Sequence, residues 1–412
     1  MEANEYYRYQ YPYDALVELL TCNGDELACL EFALEGEVYK RFVSVTSAQE
    51  LKVAAYNFPG IRTIHFGAFY DRSPSRNMRN NPPRRRVLSF DIDLTDKEWL
   101  PVKDAAGEVS AELCDKAWCV SAASIDIVKR LLHVAFGYTK VLAVYSGRRG
   151  VHVHVFDDAA MSLSSEARSA VVGYINGNVG AETERATSGV RLVMQMHNLR
   201  KLVYVWFNEM MMAGLFDTCS ARRDLVRRLD LAKYDHLKNE LGSLEDDAGD
   251  MEDGPRAWQH IIDKVKSVKK KAPWISERID CLVLAYVWPK LDANVTGDIA
   301  HLTKVPFACH AKSGRVACAV DPHGYWDFCP EFDAPSLRDD DWNEEAMAEA
   351  LRHFHPYGDE VVPEPVREDV GEKEAGAVVA LMDMEDLAGA PPKPAPPRKL
   401  TWKRKISPLA PS

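Results

Sequence analysis

The feature that most constrains this chain is a seven-residue stretch, residues 87–93, which is apolar at first and acidic at its end. Its β-branched, aliphatic and aromatic residues predict a short buried strand. Side chains at i and i+2 of a strand point to the same face, so Asp91 and Asp93 project together while Phe90 and Ile92 turn into the core. Neighbouring carboxylates repel each other unless a positive charge lies between them, and a hard divalent cation such as Mg²⁺ suits that position. The alternative is an edge strand whose acids only face water.

A second informative stretch, residues 141–156, predicts a strand, a tight turn and a second strand with strict alternation. The turn places Arg148 and Arg149 between two glycines. Guanidinium groups bind phosphate bidentately, and glycines let the backbone approach closely. The alternation puts His152 and His154 on one strand face, which favours a polar cleft, and we expect these strands to share a sheet with the acidic strand. Solvated arginines and buried, hydrogen-bonded histidines are the alternatives.

Three later residues complete the set of candidates. Asp292 follows an apolar run that we interpret as strand-like, and a buried aspartate there would need a cation. Its alternative role is the N-cap of a helix that begins near Asn294. Lys304 and His310 add groups that bind phosphate, unless they only lie on a surface strand.

These residue types together fit phosphoryl transfer. Two metal ions bound by Asp91, Asp93 and Asp292 would activate an attacking 3′-hydroxyl and stabilise the leaving pyrophosphate. Cationic groups would hold the triphosphate, where charge develops in the transition state; the candidates are Arg148, Arg149, Lys304 and His310.

The N-terminal part of the sequence begins with a tyrosine-rich segment at 6–13. After it, the sequence predicts a β-hairpin at 27–45, a helix at 47–57, a strand at 61–70 and a polar loop at 71–86. We expect the tyrosines to anchor the core, with stacking on bases as the alternative. The polar loop carries six arginines, and a loop of this length is usually functional or mobile.

The rest of the chain is predicted from its spacing. A helix is expected at 115–136, followed by Gly137, and helices fill most of 160–285 around an acidic loop at 244–254. Sheet-like segments return at 282–286, 304–310 and 315–320, and a last helix spans 343–355. We therefore predict an α/β fold of the α+β type, with a catalytic domain at 1–357 that includes a helical subdomain at about 160–285. Residues 358–412 are predicted to be a disordered tail, which is acidic at first and then Pro-rich and basic.

Composition excludes some classes of protein. The chain has no run of eighteen apolar residues, so we expect no membrane span. Its nine cysteines form no evident framework, which favours reduced thiols in the cytosol or nucleus. The net charge of −11 argues against a protein coated in nucleic acid but allows a local basic cleft.

Three blocks of this sequence, in this order, resemble the small catalytic subunit of archaeal–eukaryotic DNA primases, and the eukaryotic branch most closely. The blocks are residues 90–96, residues 145–152, and residues 289–292 with 304–307 and 310–315. The resemblance implies a primase fold, with a mixed β-sheet catalytic core and a helical subdomain. It also implies synthesis of short RNA primers from ribonucleoside triphosphates on single-stranded DNA templates.

The same resemblance assigns roles to residues. Asp91, Asp93 and Asp292 would be the metal triad for two Mg²⁺ or Mn²⁺ ions. The incoming ribonucleotide would contact Ser146, Arg148, Arg149, His152, Lys304 and His310, with Glu31 and Arg41 of the N-terminal hairpin facing it as well. The implied partners are the primase large subunit, in a heterodimer, and the replicative DNA polymerase alpha complex, in a soluble nuclear primosome.

One departure from the family concerns zinc. Family members carry a cysteine-rich zinc knuckle after the acidic strand, whereas that region here offers only Cys114 and Cys119. Two thiolates rarely complete a tetrahedral site, so we expect structural zinc to be absent or to be completed by other ligands.

Two other functions compete with a template-directed nucleotidyltransferase. A metal-dependent glycosyltransferase would explain Asp91 and Asp93 as an Asp-x-Asp motif that holds a sugar nucleotide, but it leaves Asp292 and the arginine turn without a role. A catalytically inactive replication scaffold would not need three carboxylates, since buried acids cost stability.

Overall fold

The computed structural model describes residues 1–76, 80–104, 106–177, 199–229, 241–268, 275–338 and 342–355. Helices surround two antiparallel sheets, so the mixed α/β fold is as predicted. The predicted tail, residues 358–412, lies outside the described residues. Within the described ranges, no helix combines the length and apolar character that crossing a membrane requires.

The first sheet has four strands in the order β2–β1–β3–β7. The strands are β1 Leu30–Glu35, β2 Tyr39–Val43, β3 Thr63–Phe69 and β7 Thr303–Lys304. The predicted N-terminal hairpin is confirmed by the antiparallel pairing of β1 with β2. The two-residue strand β7 comes from far along the chain and pairs with β3, with Lys304 opposite His65.

The second sheet has three strands in the order β4–β6–β5, which confirms that the hairpin shares a sheet with the acidic strand. The strands are β4 Leu88–Asp93, β5 Val141–Tyr145 and β6 Gly150–Val155. The register places Asp91 opposite His152 and Ser89 opposite His154, so polar side chains share one face. On the other face Phe90 and Ile92 are buried, which confirms the predicted alternation.

The helices are numbered here in chain order. They are α1 Ala3–Tyr9, α2 Tyr13–Leu20, α3 Ala48–Tyr56, α4 Ala111–Lys116, α5 Trp118–Phe136, α6 Asp158–Met161, α7 Ser165–Gly177, α8 Leu199–Met212, α9 Cys219–Arg228, α10 Leu244–Asp250, α11 Gly254–Val268, α12 Ile275–Val287, α13 Ala293–Gly297, α14 Pro330–Asp333 and α15 Glu344–Arg352. The helix predicted at 115–136 is two helices, and Gly137 ends α5 in the left-handed conformation.

Two segments were predicted wrongly. The strand-like run 282–286 lies inside α12, where most of its side chains are buried. A short apolar run fits a buried helix as well as a strand, and its periodicity does not separate the two. The predicted acidic loop at 244–254 contains α10, whose first turn carries three carboxylates, and negative charge there stabilises a helix N-terminus.

The strands predicted at 304–310 and 315–320 are only partly present. Beyond β7, these segments make isolated bridges, including Cys309 with Val316. Pro306 lacks a backbone N–H, and Phe307 has a positive φ of 61°, so regular pairing is interrupted between Lys304 and His310.

The three arginines at the end of the 71–86 loop interact with other residues of the fold. Arg84 pairs with Asp71, and Arg85 pairs with Asp25 and Asp158. Arg86 is fully buried. Arg79 lies outside the described residues.

Candidate active site

Residues of both sheets line one cleft with a volume of about 290 Å³. β4 and β6 supply its acidic and histidine side chains, β3 and β7 supply the opposite wall, and the segment after α12 closes one side. The lining residues are His65, Ser89, Phe90, Asp91, Ile92, Asp93, Ser146, Arg149, Gly150, His152, Val295, His301, Leu302, Thr303, Lys304 and His310. Seven of the predicted site residues therefore lie in one cavity: Asp91, Asp93, Ser146, Arg149, His152, Lys304 and His310.

The two acids of β4 are half-buried and each faces a positive or potentially positive group. Arg149 Nε lies 2.6 Å from Asp93 Oδ2, and His152 Nε2 lies 3.5 Å from Asp91 Oδ1. Asp93 Oδ1 also accepts hydrogen bonds from the Thr95 amide at 2.8 Å and from the Thr95 hydroxyl at 2.7 Å. These contacts orient the Asp93 carboxylate at the end of the strand.

Asp292 is brought to the same strand by its backbone. Its N–H donates to the Asp91 carbonyl at 3.1 Å, and its Oδ1 accepts from the Asn294 N–H at 2.8 Å as the N-cap of α13. The Thr296 hydroxyl of that helix donates to the Ser89 carbonyl at 2.9 Å. Asp292 is therefore the N-cap of α13 and a neighbour of the acidic strand, but it is not among the residues that line the cleft. Its role as a metal ligand stays a prediction.

The charges of these acids also act on a fourth carboxyl, Asp96. Burial raises the pKa of Asp96, the negative charges of Asp93, Asp292 and Asp91 raise it further, and the positive charge of Lys290 lowers it. All three predicted metal ligands are therefore close enough to influence Asp96. Such a concentration of negative charge attracts cations.

The donors of Asp91, Asp93 and Asp292 are carboxylate oxygens, which Mg²⁺ and Mn²⁺ prefer, so the residues fit these ions chemically. Among the residues that the structure describes, no group of three His, Cys, Asp or Glu side chains already stands in a metal-ligating arrangement. The Arg149 guanidinium instead provides a compensating charge at Asp93, and the His152 ring lies beside Asp91.

The turn between β5 and β6 needs its two glycines. Gly147 has a φ of 90°, and a Cβ there would lie 2.9 Å from the His310 Cβ. A Cβ on Gly150 would lie 2.0 Å from the Ile92 carbonyl oxygen, so only glycine allows β6 to begin against β4. Across the same junction the Leu94 N–H donates to the Arg149 carbonyl at 2.8 Å. The turn is therefore packed against both the acidic strand and the His310 segment.

The two arginines of the turn point to different places. Arg149 lines the cleft, whereas Arg148 donates through Nη2 to the Val109 carbonyl and is absent from the lining. The charge of Arg148 still reaches the cleft, since it lowers the pKa of His310.

His310 is neutral at physiological pH. Burial, together with the positive charges of Lys304, Arg148, Arg149 and Lys312, lowers its pKa to about 4. The Ser313 N–H donates to His310 Nδ1 at 3.3 Å, so the proton of the neutral ring belongs on Nε2. His310 can therefore donate one hydrogen bond to an anion.

Burial also favours the neutral form of the other histidines of this region. Burial lowers the pKa of His152, His65 and His301, and it lowers the pKa of His154 most strongly. His154 is buried beneath the cleft, where its Nδ1 lies 2.9 Å from the Ser89 hydroxyl.

Some residues of the cleft were not predicted as site residues, namely Ser89, His65, His301 and Thr303. Ser89 has a signal in the sequence, because it lies two residues before Asp91 on the same strand face. His65 has none, because it reaches the cleft only through the pairing of β3 with a distant two-residue strand.

Glu31 and Arg41 form a separate cluster. Glu31 is fully buried on β1, where it accepts from Arg41 Nε at 2.9 Å and from the Tyr70 hydroxyl at 2.9 Å. Neither Glu31 nor Arg41 lines the cleft.

The cysteine pair lies on the two helices that follow the acidic strand in sequence, Cys114 on α4 and Cys119 on α5. Cys114 is buried and Cys119 is half-buried, and burial raises the pKa of the Cys114 thiol to about 11 and of the Cys119 thiol to about 12. Next to Cys114, Asp115 forms a bidentate ion pair with Arg315 at 2.8 Å for each bond. This ion pair joins the cysteine segment to the His310 segment.

Comparison with known proteins decides the family. A family model described as DNA primase small subunit matches residues 90–322, which is more than half of the 412 residues. The chain belongs to the DNA primase small subunit family. The family match begins in β4 and includes Asp91, Asp93, the β5–β6 turn, Asp292, Lys304 and His310.

Relatives in this family come from eukaryotes and archaea. The DNA primase small subunit of Schizosaccharomyces pombe is 27% identical over 346 residues, which cover 77% of this chain and 72% of that protein. The Drosophila melanogaster protein of the same name is 27% identical over 336 residues, covering 76% and 74%. The DNA primase small subunit PriS of Archaeoglobus fulgidus is 29% identical over 141 residues, covering 34% and 39%.

Proposed function

We propose that this chain is a primase catalytic subunit, which joins ribonucleoside triphosphates into short RNA primers on a single-stranded DNA template. The observation that carries the proposal is the hydrogen bond from the Asp292 N–H to the Asp91 carbonyl. It brings a third acid to the strand whose Asp91 and Asp93 line a cleft together with Arg149, Lys304 and His310.

The acids would hold two Mg²⁺ or Mn²⁺ ions. The donor set is Asp91, Asp93 and Asp292, and the ions would supply activation of the attacking 3′-hydroxyl and neutralisation of the leaving pyrophosphate. The protein contributes the orientation of the carboxylates, through Thr95 at Asp93 and through the N-cap bond at Asp292.

The cationic and neutral hydrogen-bond donors of the cleft would bind the triphosphate. Arg149 contacts Asp93 now, and a guanidinium binds phosphate with the same bidentate geometry that it uses for carboxylate. Lys304 projects from β7, and His310 offers its Nε2 proton without adding a charge. Ser146 and His152 complete the contacts that we propose for the incoming ribonucleotide.

Three further predicted contacts lie outside the cleft lining, at Arg148, Glu31 and Arg41. We retain Arg148 as a group that acts through its charge, because it lowers the pKa of His310. Direct contact of Glu31 and Arg41 with the nucleotide would require them to extend from their own cluster with Tyr70.

Membership of this family supports a heterodimer with a primase large subunit. As part of the proposal, that heterodimer would work with the replicative DNA polymerase alpha complex in the nucleus. Affinity purification of the tagged full chain from nuclear and cytosolic extracts, followed by mass spectrometry, tests both statements; the absence of a large subunit from both fractions would contradict the first.

The catalytic proposal is tested with Asp91→Ala. The purified chain is incubated with a single-stranded DNA template, labelled ribonucleoside triphosphates and Mg²⁺ or Mn²⁺, and primers are resolved on a gel. Asp91→Ala should abolish synthesis with an unchanged unfolding midpoint, while Asp263→Asn, on the exposed part of α11, should remain active. Full activity in Asp91→Ala would reject the assignment.

The same reaction separates the competing enzyme class. A glycosyltransferase would consume sugar nucleotides and would ignore the template, so a parallel incubation with labelled sugar nucleotides is included. Turnover there, without primer synthesis from ribonucleoside triphosphates, would replace the primase proposal.

A further inference from the structure

Four tyrosines at the start of the chain are buried side by side, at positions 6, 7, 11 and 13. The hydroxyls of three of them reach a single segment close to three hundred residues later in sequence. Tyr6 donates to the Phe307 carbonyl at 2.9 Å, and Tyr11 donates to the Pro306 carbonyl at 2.7 Å. The Tyr7 hydroxyl accepts from the Cys309 N–H at 3.1 Å.

The segment that these hydroxyls hold connects two groups of the cleft. It runs from Lys304, on β7, to His310, and three of the five residues between them are contacted by tyrosine hydroxyls. The distance and orientation between Lys304 and His310 therefore depend on how firmly residues 305–309 are held.

That segment does not hold its shape by regular pairing. Pro306 has no N–H to donate, and Phe307 has a φ of 61°, a conformation that bulky residues adopt only when surrounding contacts impose it. The Phe307 N–H donates to the Ala317 carbonyl at 2.6 Å, and its ring packs against Phe354 at 4.5 Å between centroids. Further backbone bonds join the Val305 N–H to the Ile64 carbonyl and the Ala317 N–H to the Ala308 carbonyl. The tyrosine hydroxyls are the partners of the Pro306 and Phe307 carbonyls and of the Cys309 N–H.

Packing alone would not select tyrosine at these positions. A buried hydroxyl is unfavourable unless it is hydrogen-bonded, so phenylalanine would fill the same space with no polar group to satisfy. Burial raises the pKa of Tyr6 and Tyr11, which keeps both hydroxyls protonated as donors.

We propose that Tyr6, Tyr7 and Tyr11 are positioning residues, whose hydroxyls set the separation of Lys304 and His310 and thereby the affinity of the cleft for a triphosphate. This inference rests on the proposed function, because it assumes that Lys304 and His310 bind the triphosphate of a ribonucleotide. The tyrosines themselves lie outside the cleft lining.

The test removes two hydroxyls and keeps the rings, in the double variant Tyr6→Phe with Tyr11→Phe. The matched control is Tyr13→Phe, because the Tyr13 hydroxyl donates to the Tyr7 carbonyl at 2.6 Å and stays within the N-terminal segment. The double variant removes two buried, bonded hydroxyls and the control removes one from the same cluster, but only the double variant releases the Pro306 and Phe307 carbonyls.

Primer synthesis on single-stranded DNA is measured against ATP concentration, and inorganic triphosphate is added as a competitive inhibitor. We expect the KM for ATP and the inhibition constant of triphosphate to rise about tenfold in the double variant. A change of this size corresponds to the loss of hydrogen bonds of ordinary strength that keep Lys304 and His310 oriented. The Mg²⁺ concentration for half-maximal activity should stay at the wild-type value, since the acids are untouched. Tyr13→Phe should leave all these constants unchanged.

The outcomes are distinguishable from failure of the proposed function. If the wild-type chain makes no primers and triphosphate does not bind, the proposed function itself fails. If the wild type is active and the double variant has the KM and inhibition constant of Tyr13→Phe, the positioning role is wrong. Should the double variant not fold, Tyr6→Phe and Tyr11→Phe are measured singly, and an unchanged KM in both overturns the inference.

Discussion

The backbone N–H of Asp292 donates to the carbonyl of Asp91 at 3.1 Å, although almost half of the chain separates the two residues. This bond and the Thr296 hydroxyl bond to Ser89 fasten α13 along β4. The position of the third acid is therefore set by main-chain contacts to the strand that carries the first two.

Thr296→Val should raise the Mg²⁺ concentration that the chain needs for activity and should lower its stability only slightly. The substitution removes the hydroxyl that donates to the Ser89 carbonyl and preserves the shape of a fully buried side chain. We expect a loss of about 1 to 2 kcal/mol in unfolding free energy and a rise in the Mg²⁺ concentration for half-maximal primer synthesis. Thr21→Val is the control, since Thr21 donates to Val17 within the N-terminal segment. Equal Mg²⁺ requirements in both variants would show that this bond does not position Asp292.

Lys97 should make stability depend on pH. Its ammonium is buried and donates to the carbonyls of Tyr286 and Trp288 at the end of α12, at 3.0 and 2.7 Å. Burial, together with the positive charge of Lys290, lowers the pKa of Lys97 to about 7, from 10.5 for a free lysine. The unfolded chain thus binds this proton more tightly than the folded chain between pH 7 and 10.5, and wild-type stability should rise with pH across that window.

Urea unfolding of the wild type and Lys97→Met at pH values from 6 to 9 measures this effect. Above pH 7 the wild type should gain about 1.4 kcal/mol per pH unit relative to Lys97→Met, and below pH 7 the difference should be constant. Lys116→Met, at an exposed helical pair with Glu112, is the control: it keeps Lys97, so its stability should rise with pH as steeply as that of the wild type. Parallel curves for wild type and Lys97→Met would contradict the lowered pKa.

Gly150→Ala should distort the backbone of the acidic strand β4. The added Cβ would lie 2.0 Å from the Ile92 carbonyl oxygen, and that oxygen belongs to backbone between the two acids. We expect a loss of about 3 kcal/mol in unfolding free energy, with loss of primer synthesis. Gly173→Ala on α7 meets nothing within 4 Å and should be neutral or slightly stabilising. Thermal unfolding of the two variants, side by side, checks the difference.

Zinc content remains a prediction from the cysteine count. The cysteine segment is held by the Asp115–Arg315 ion pair and by the Trp118 indole, which donates to the Tyr325 carbonyl at 2.8 Å. We expect elemental analysis of the purified chain to find less than stoichiometric zinc. One zinc per chain, lost in Cys114→Ser, would show that further ligands complete a site around this cysteine.

Local patterns in the sequence predicted the parts of the site that lie within single elements. The alternation around Asp91 and the glycine-flanked turn each depend on neighbours along the chain, and both have the predicted structure. The same local reasoning misassigned residues 282–286, because a short apolar run buries equally well as a strand or as a helix. Asp292 was singled out although the element before it was wrong.

The sequence by itself determined the acidic strand, the hairpin with its two glycines and the family to which the chain belongs, because backbone geometry and side-chain period are set by adjacent residues. Only the tertiary structure decided that Asp292 bonds to Asp91, that Arg148 turns away from the cleft and that tyrosines near the N-terminus hold the segment before His310. These contacts join residues that are far apart in the chain. They form because distant segments bury surface together, and no local pattern encodes that pairing.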